Sequence, residues 1–249
     1  MKNYSEYTPQ QIEGKRVLIT GGTTGIGRAT AVLLAQMKAK VFVCGRHRQE
    51  LDDTFADAAE ANTPIQGLVA DVSTEQGIQK LFEAADASLG GLDILINNAA
   101  VAYQSILDGN FEDWQYVVNT NLLAYLACAR EAVDRMKESG GHIVNVGSMS
   151  AEVREKGSSV YVATKSGIEG FSAALRKEVS DMNIKISLIE PGATATNMQG
   201  DDAPTLTKKT EDLEMLTADD VAVSIAYTLC QPKRCNVVLL QLRPHKQEI

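Results

Sequence analysis

The sequence predicts one α/β domain built as a doubly wound parallel sheet with helices on both faces. Short apolar runs alternate with longer amphipathic segments along all 249 residues. A glycine-rich turn joins the first run to the first amphipathic segment, and no linker, internal repeat or low-complexity tract divides the chain. Buried parallel strands read as continuous apolar runs, and right-handed crossovers place helices on both faces. We therefore expect a single domain over residues 1–249 with about seven strands.

The predicted elements follow in strict alternation. Runs rich in Val, Ile and Leu predict strands at 17–19, 41–44, 66–70, 93–97, 142–146, 184–189 and 237–240. Apolar residues at helical spacing predict helices at 27–38, 48–61, 75–88, 111–137, 159–180 and 218–230, with an irregularity at 119–121. Residues 197–217 are polar and carry both charge signs, so we interpret them as a mobile substrate loop or as an ordinary surface loop.

Composition and charge argue against several classes of protein, among them nucleic-acid-binding, membrane, metal-binding and secreted proteins. The net charge of −8 argues against binding to nucleic acid or anionic membranes. The four cysteines form no Cys-x-x-Cys pair and are expected to be reduced, and the three scattered histidines predict no metal site. Residues 1–14 lack the apolar stretch of a signal peptide, and no run approaches the roughly 20 apolar residues of a membrane span. We expect a cytoplasmic protein.

The turn after the first strand has the chemistry of a phosphate site. Its glycines follow the pattern Gly-x-x-x-Gly-x-Gly and open the first helix. Glycine permits a tight turn and close approach of backbone amides to a pyrophosphate, and a helix N-terminus adds positive partial charge. A plain strand–helix turn is the alternative. The strand–turn–helix context favours a dinucleotide, which makes the sheet Rossmann-like, and the predicted contacts are Gly21, Thr23, Thr24, Gly25, Ile26 and Gly27.

The residues at the end of the second strand indicate whether the protein prefers NADP or NAD. An acid about 20 residues after the glycine turn is typical of NAD sites, where it binds the ribose 2′-hydroxyl. Here the chain reads Cys-Gly-Arg-His-Arg over 44–48, with no acid before Glu50. Arg46 is placed to meet a 2′-phosphate, and Arg48 is close enough to assist. A solvated basic turn is the alternative. The sequence favours NADP(H), with NAD(H) second.

Tyr161 and Lys165 are four residues apart, with Ser148 thirteen positions upstream. Positions i and i+4 share a helix face, so the phenol and the ammonium can point into one pocket. A lysine cation about 4 Å away is worth roughly 4 kcal/mol at an effective dielectric of about 20, or about 3 pKa units on a phenol. That lowering favours general acid–base catalysis. The spacing alone also occurs by chance.

Together these motifs resemble the short-chain dehydrogenase/reductase family over nearly the whole chain. Asp71-Val72 resembles the family's adenine contact, and the segment 97–100 resembles its Asn-Asn-Ala-Gly motif, with Ala in place of the last Gly. Pro191-Gly192, with threonines downstream, resembles the segment that flanks the nicotinamide. The resemblance implies cofactor contacts at Asp71, Val72, Asn97, Ala99, Tyr161, Lys165, Pro191, Gly192, Thr194 and Thr196.

The resemblance also implies a catalytic set of Asn121, Ser148, Tyr161 and Lys165. In it, Lys165 holds the ribose hydroxyls, Tyr161 exchanges a proton with the substrate oxygen, Ser148 hydrogen-bonds that oxygen, and Asn121 positions a water. Structural alternatives stay open. Ser148 can close a turn and Asn121 can bend a helix. Other residues with such alternatives are Asp71 as an ordinary cap at the start of a loop, Asn97 as a bridge between strands and Thr196 as a surface residue.

The resemblance implies an oxidoreductase that acts on the CH–OH group of a small molecule. Substrate contacts are expected from loops 101–108, 149–159 and 197–217. Glu190 favours 3-hydroxy acids or hydroxy amino acids, and the other motifs fit 3-oxoacyl thioesters equally. A catalytically silent dinucleotide-binding regulatory protein is the alternative from another class, and a lyase or epimerase ranks last. The family implies a homotetramer or homodimer.

Overall fold

The computed structural model describes residues 11–61 and 63–247, and across them the chain forms a seven-stranded parallel sheet. The strands are β1 (Arg16–Thr20), β2 (Lys40–Gly45), β3 (Gln66–Val69), β4 (Ile94–Asn97), β5 (Gly141–Val146), β6 (Ile184–Pro191) and β7 (Leu239–Leu242). Their order is β3-β2-β1-β4-β5-β6-β7. The chain runs outward in one direction from β1 and returns to start again at β4, so the predicted doubly wound sheet is confirmed.

Helices connect the strands on both faces. They are α1 (Gly25–Gln36), α2 (Arg48–Asp57), α3 (Glu75–Leu89), α4 (Phe111–Val118), α5 (Ala124–Met136), α6 (Ser150–Val153), α7 (Ser159–Glu178), α8 (Ala203–Glu211) and α9 (Ala218–Leu229). The short helix α6 and the helix α8 were not predicted. Among the described helices, none is both long enough and apolar enough to cross a membrane.

Two apolar cores cover the two faces of the sheet. Val17 and Ile19 point into one core with residues of α1 and α9, while Leu18 points into the other with residues of α3 and α5. Successive side chains of a strand alternate between faces. Because both faces are buried, the strands show continuous apolar runs, which is why the sequence revealed them. Cys44 and Cys128 are buried in the second core as reduced thiols.

The long helical segment after β4 is interrupted where an irregularity was predicted. Residues Asn119–Leu123 form a π-helix between α4 and α5. Within it, the Asn121 side chain accepts a hydrogen bond from the Val101 amide at 2.8 Å and donates one to the Val101 carbonyl at 2.9 Å. The π-helical turn thus fixes the backbone that follows β4. Single π-turns of this kind are frequent at functional sites.

The prediction of a loop over 197–217 is wrong for its central part. Asn197–Gln199 form a 3-10 turn and α8 follows. Asp202 caps α8 by accepting a hydrogen bond from the Thr205 amide at 3.0 Å, and Lys209 pairs with Asp201 at 2.6 Å. A polar helix that buries no side chain lacks the apolar stripe that sequence analysis relies on. Mobility of this segment stays a prediction.

An ion pair ties the starts of β1 and β4 together. Asp93 accepts hydrogen bonds from the Arg16 amide at 2.8 Å, from Nε at 2.9 Å and from Nη2 at 2.8 Å. Burial by itself would raise the pKa of Asp93, but the hydrogen bonds and charge of Arg16 outweigh burial and hold this pKa below its ordinary value. A group with a lowered folded-state pKa stabilises the protein above its unfolded pKa, and this stabilisation disappears as the pH falls through the folded pKa.

We expect Asp93→Ala to lower the free energy of unfolding by about 2 kcal/mol at neutral pH, because it leaves the partly buried Arg16 without its partner. The difference from the wild type should shrink as the solution is acidified towards the folded pKa of Asp93. Urea unfolding at several pH values measures both effects. Asp134→Ala is the control, since Asp134 pairs with Arg130 on the surface and should matter little. A pH-independent loss for Asp93→Ala would contradict the assignment.

Candidate functional site

A cavity of about 480 Å³ opens at the edge where the strands end. Its walls come from the β1–α1 turn, the ends of β2, β4 and β5, and the segment after β6. The connections from β1 and β4 leave the sheet in opposite directions, so a crevice forms between them; this is the usual ligand site of open α/β sheets. The predicted site residues that line the cavity are Gly21, Thr23, Thr24, Gly25, Ile26, Arg46, Asp71, Val72, Ala99, Ser148, Tyr161, Lys165, Pro191, Gly192, Thr194 and Thr196.

The glycine turn packs against the end of β4 with no room for side chains. Gly21 has a φ of +61°, and a Cβ on it would lie 2.7 Å from the Ala99 Cα. A Cβ on Gly27 would overlap the carbonyl oxygen of Gly21. The Asn98 side-chain amide donates to the Thr20 carbonyl at 3.1 Å and to the Gly21 carbonyl at 2.9 Å. Gly27 therefore shapes the turn without lining the cavity.

The N-terminus of α1 is suited to an anion. Its N-cap residue Thr24 makes no side-chain capping hydrogen bond in the described chain, and the first turn carries no acidic residue. By contrast, α4 and α9 each begin with a complete capping box that includes an acid. The amides and the positive end of the α1 dipole are thus left for a ligand in the cavity. This arrangement fits a pyrophosphate group.

At the end of β2, Arg46 lines the cavity and donates a hydrogen bond to the Tyr116 hydroxyl of α4. Its guanidinium also lies 5.8 Å from the centre of the Tyr116 ring. Arg48 points elsewhere and pairs with Asp52 on α2 at 3.0 Å. Glu50 lines the cavity as well, and the Thr23 hydroxyl lies 3.5 Å from its carboxylate. A cation, Arg46, and an acid, Glu50, therefore both lie at this end of the cavity, which Asp71 after β3 also lines.

Lys165 lies on α7 and is buried, with 2% of its surface exposed. Its Nζ donates to the Val146 carbonyl at 3.1 Å, and the Tyr125 hydroxyl donates to the same carbonyl, also at 3.1 Å. The Tyr125 ring centre lies 5.8 Å from Nζ. Burial lowers the pKa of Lys165 to about 8, and the negative charge of Glu190 opposes this lowering.

Tyr161 lies one helical turn before Lys165, and its ring centre is 5.6 Å from the Lys165 Nζ. Burial raises the pKa of Tyr161; its hydrogen bond with Ser148 lowers this pKa, and the charge of Glu155 raises it further. We expected Lys165 to hold the pKa of the phenol below its ordinary value. Without a bound cofactor this expectation is wrong, because burial is the largest effect and raises the pKa of Tyr161. The three side chains are nevertheless brought together as predicted.

Two other predicted residues do not line the cavity. Asn97 is 1% exposed, and its side-chain amide donates to the Asn145 side chain at 3.0 Å and to the Tyr125 carbonyl at 3.3 Å. The prediction that Asn97 binds the cofactor is therefore replaced by the structural alternative, a bridge between β4 and β5. Asn121 is fully buried and acts on the cavity wall through Val101.

Sequence reasoning missed several residues that line the cavity or build it. The sequence does point to Asn98, because it belongs to the same motif as Asn97. The two residues are adjacent, so their side chains point to opposite sides of the chain at the end of β4. Glu50 at the start of α2 and Gln247 near the end of the described chain also line the cavity, and no local pattern marks them as ligands. Three more lining residues lie in the loops from which substrate contacts were expected, although none was named individually: Tyr103, Glu155 and Gln199. Among the described residues, no three His, Cys, Asp or Glu side chains gather as metal ligands do.

Comparison with known proteins agrees with this geometry. The short chain dehydrogenase family model matches residues 15–207. The chain belongs to the short chain dehydrogenase family. An uncharacterized oxidoreductase of Staphylococcus aureus strain MRSA252 is 32% identical to this family member over 232 residues, which cover 92% of this chain and 97% of that protein. The family resemblance is confirmed: the protein is an oxidoreductase of a family that binds a nicotinamide dinucleotide and acts on small molecules.

Solved structures share the fold. A short chain dehydrogenase from Burkholderia cenocepacia J2315, in complex with NADP, has a TM-score of 0.83 at 27% identity and covers 94% of this chain and 98% of its own. An alcohol dehydrogenase from the archaeon Thermococcus sibiricus, complexed with 5-hydroxy-NADP, has a TM-score of 0.87 at 23% identity, with coverages of 95% and 99%. The second likeness shows the fold alone.

Neighbouring asparagines give a matched pair for testing this site. Asn97→Ala should lower the free energy of unfolding by about 1–3 kcal/mol, because it leaves the buried Asn145 oxygen without its donor. It should leave the affinity for the reduced nicotinamide dinucleotide unchanged. Asn98→Ala should instead weaken binding of the dinucleotide, because it releases the glycine turn. Urea unfolding and fluorescence titration with NADH and with NADPH separate the two effects. Equal loss of dinucleotide affinity in both variants would contradict the assignments.

Proposed function

We propose that this protein transfers a hydride between NADP(H) and a carbonyl or alcohol substrate, with Tyr161 as the general acid in reduction and the general base in oxidation. The observation that carries the proposal is the grouping of Tyr161, Ser148 and Lys165 in the same cavity as the glycine turn. Ser148 lowers the pKa of the phenol against the effect of burial, and the buried ammonium of Lys165 lies 5.6 Å from the centre of the Tyr161 ring. A proton donor, a hydroxyl and a cation are what a developing alkoxide requires.

The bound nicotinamide would supply or accept the hydride. Tyr161 gives its proton to the substrate oxygen, and a raised pKa keeps the phenol protonated for this step at neutral pH. Ser148 holds the same oxygen by a hydrogen bond. Lys165, fixed on the Val146 carbonyl, binds the ribose hydroxyls and adds positive charge behind the phenol.

Asn121 takes two parts in this proposal. Its side-chain oxygen and nitrogen each make one hydrogen bond to the Val101 backbone, so Asn121 holds the cavity wall. Each of these two groups keeps one further hydrogen-bonding position, so the same residue can also position a water of the proton relay.

The remaining contacts divide between the two ends of the cofactor. Asp71 and Val72 follow β3 and form the proposed adenine contact; the Asp71 carboxylate also accepts a hydrogen bond from the Ser73 amide at 2.9 Å, so the capping alternative holds at the same time. Pro191 ends β6, and Gly192, Thr194 and Thr196 follow it. These four residues, with Ala99 just after β4, form the proposed nicotinamide contact. A Cβ on Gly25 would lie 3.1 Å from the Thr196 methyl group, so Thr196 closes over the glycine turn.

Preference for NADP over NAD is proposed from Arg46, and the neighbour from Burkholderia cenocepacia in complex with NADP supports it. Arg46→Ala should weaken NADP binding at least about tenfold, since a hydrogen bond to a charged group contributes about 1.5–3 kcal/mol. The affinity for NAD should stay unchanged. Arg48→Ala is the matched control, because Arg48 pairs with Asp52 outside the cavity.

Thermal unfolding with each cofactor measures this preference. The wild type should be stabilised more by NADP than by NAD, and Arg46→Ala should remove the difference. Greater stabilisation of the wild type by NAD would overturn the preference and assign this end of the site to Glu50, as the acid that binds a ribose hydroxyl.

The role of Tyr161 has a direct test. Tyr161→Phe should lower kcat at least about 100-fold with a panel of carbonyl compounds, because the proton donor is lost. NADPH affinity should persist, because the ring and Lys165 remain. Oxidation of NADPH followed by absorbance measures turnover, and calorimetry measures binding. Undiminished turnover in the variant would refute the role of Tyr161.

The wild-type protein in the same assay decides between two classes of function. NADPH binding without turnover of any carbonyl compound would favour the catalytically silent regulatory protein. The grouped Ser148, Tyr161 and Lys165 count against that alternative.

Substrate entry is proposed from the side lined by Tyr103, Met149, Glu155 and Met198. Of the charged side chains in the loop 149–159, Glu155 lines the cavity, whereas Arg154 donates to the Ala151 carbonyl at 3.2 Å. Substrates without a carboxylate near the reacting carbon therefore fit this side better than acids do. Assembly into a homodimer or homotetramer and a cytoplasmic location stay predictions.

A further inference from the structure

Glu190 is a buried acid that the proposed reaction does not yet use. It lies on β6 directly before Pro191, and 2% of its surface is exposed. One carboxylate oxygen accepts a hydrogen bond from the Gln241 side-chain amide at 3.0 Å. The other, Oε1, has no hydrogen-bond partner in the described part of the chain. Burial of an acid with an unsatisfied oxygen is costly, so its presence calls for a compensating interaction.

The Glu190 side chain lies behind the wall that carries the reactive groups. A Cβ on Gly147 would lie 3.2 Å from the Glu190 Cγ and 3.4 Å from Oε1. Gly147 stands between Val146, whose carbonyl accepts the hydrogen bond from Lys165, and Ser148. The backbone of Gly147 therefore separates the acid from the cavity, and the absence of a side chain there lets the acid approach.

Four neighbouring side chains affect the ionisation of Glu190. On α7, Lys165 favours the ionised acid and Glu169 disfavours it; on α6, Glu152 also disfavours it. On β7, the uncharged Gln241 favours it by hydrogen bonding. Burial is the largest effect and raises the pKa of Glu190, while in return the charge of Glu190 raises the pKa of Lys165 against burial. Lys165 lowers the pKa of Glu190 and Glu190 raises the pKa of Lys165, so each residue favours the charged form of the other.

Gln241 fixes the acid in place. It is paired with Glu190 in the β6–β7 register, and its amide nitrogen donates both to Glu190 and to the Glu152 carboxylate at 2.9 Å. Glu152 in turn lies 3.6 Å from Arg243. If Glu190 served only to connect β6 to β7, its hydrogen bond with Gln241 would be sufficient. That role does not explain why the other oxygen, Oε1, is buried behind Gly147 without a partner in the described chain.

We propose that Glu190 is a positioning residue that keeps Lys165 in its ammonium form by supplying a buried negative charge behind Gly147. The proposal rests on the proposed function, in which the Lys165 ammonium binds the ribose and supports Tyr161. A buried lysine tends to lose its proton, because a low-dielectric environment disfavours the charged form. A fixed carboxylate nearby opposes that loss and widens the pH range in which the site is assembled.

The first experiment measures Lys165 in the protein without cofactor, so it is independent of turnover. Nuclear magnetic resonance of isotope-labelled lysine side chains gives the pKa of Lys165, with its signal assigned by loss in Lys165→Met. Glu190→Gln should lower this pKa by about one unit, because a nearby opposite charge is removed. Glu190→Asp keeps the charge and should restore most of the difference. An unchanged Lys165 pKa in Glu190→Gln would overturn the proposal.

Glu152→Gln is the matched control, because Glu152 bonds the same Gln241 nitrogen but its side chain is 59% exposed. It should leave the Lys165 pKa unchanged, and a shift as large as that in Glu190→Gln would overturn the specific role of Glu190. If Glu190→Gln does not fold, the carboxyl carbon of Glu190 is titrated in the wild type. It should be ionised at pH 7, and a protonated Glu190 at that pH would also overturn the proposal.

The second experiment connects this charge to the reaction. In the wild type, kcat/KM for carbonyl reduction should fall at alkaline pH, and in Glu190→Gln this fall should begin about one pH unit lower. A lower rate without a shifted profile would indicate a merely structural role and contradict the proposal. Absence of turnover in the wild type with every carbonyl compound would refute the proposed function instead, while the Lys165 titration would still decide the role of Glu190.

Discussion

Close packing between the glycine turn and the end of β4 is the constraint on which the site depends. The two strands are neighbours in the sheet, but their connections leave in opposite directions, and the crevice between those connections holds the cavity. Gly21 and Gly27 let the turn approach Ala99, and Asn98 holds the approach with two hydrogen bonds to backbone carbonyls. A bulkier turn would displace the N-terminus of α1, and with it the positive end of the helix dipole that faces the cavity.

At the end of the cavity that holds Tyr161 and Lys165, burial changes the pKa values more than contact between charges does. The ammonium of Lys165 donates to a neutral carbonyl, and burial lowers its pKa to about 8. Burial also raises the pKa of the phenol of Tyr161. In a low-dielectric protein environment, the remaining charges interact more strongly than they do in water. An acid behind the wall, such as Glu190, therefore influences Lys165 without touching the ligand.

Buried polar side chains fix the strand ends that carry the reactive groups. Asn97 joins β4 to Asn145 of β5, and the Asn145 amide donates to the Ser172 hydroxyl on α7 at 2.8 Å. Strand and helix are thus connected below Ser148 and Tyr161. Such networks add specificity, because each buried donor has a partner in only one arrangement of the backbone. Precise placement of a phenol and a hydroxyl depends on rigid supports of this kind.

The sequence by itself determined the alternation of strands and helices, the glycine turn and an irregularity near Asn121. These features depend on local periodicity and on turn chemistry, which neighbouring residues encode. The grouping of Ser148, Tyr161 and Lys165 was implied by the resemblance of the motifs to a family. Only the tertiary structure decided that Asn98 and not Asn97 supports the turn, that the Tyr161 pKa is raised, and that Glu190 lies behind Gly147. Burial and contacts between residues far apart in the chain fix these outcomes, and neither quantity is written in a short stretch of sequence.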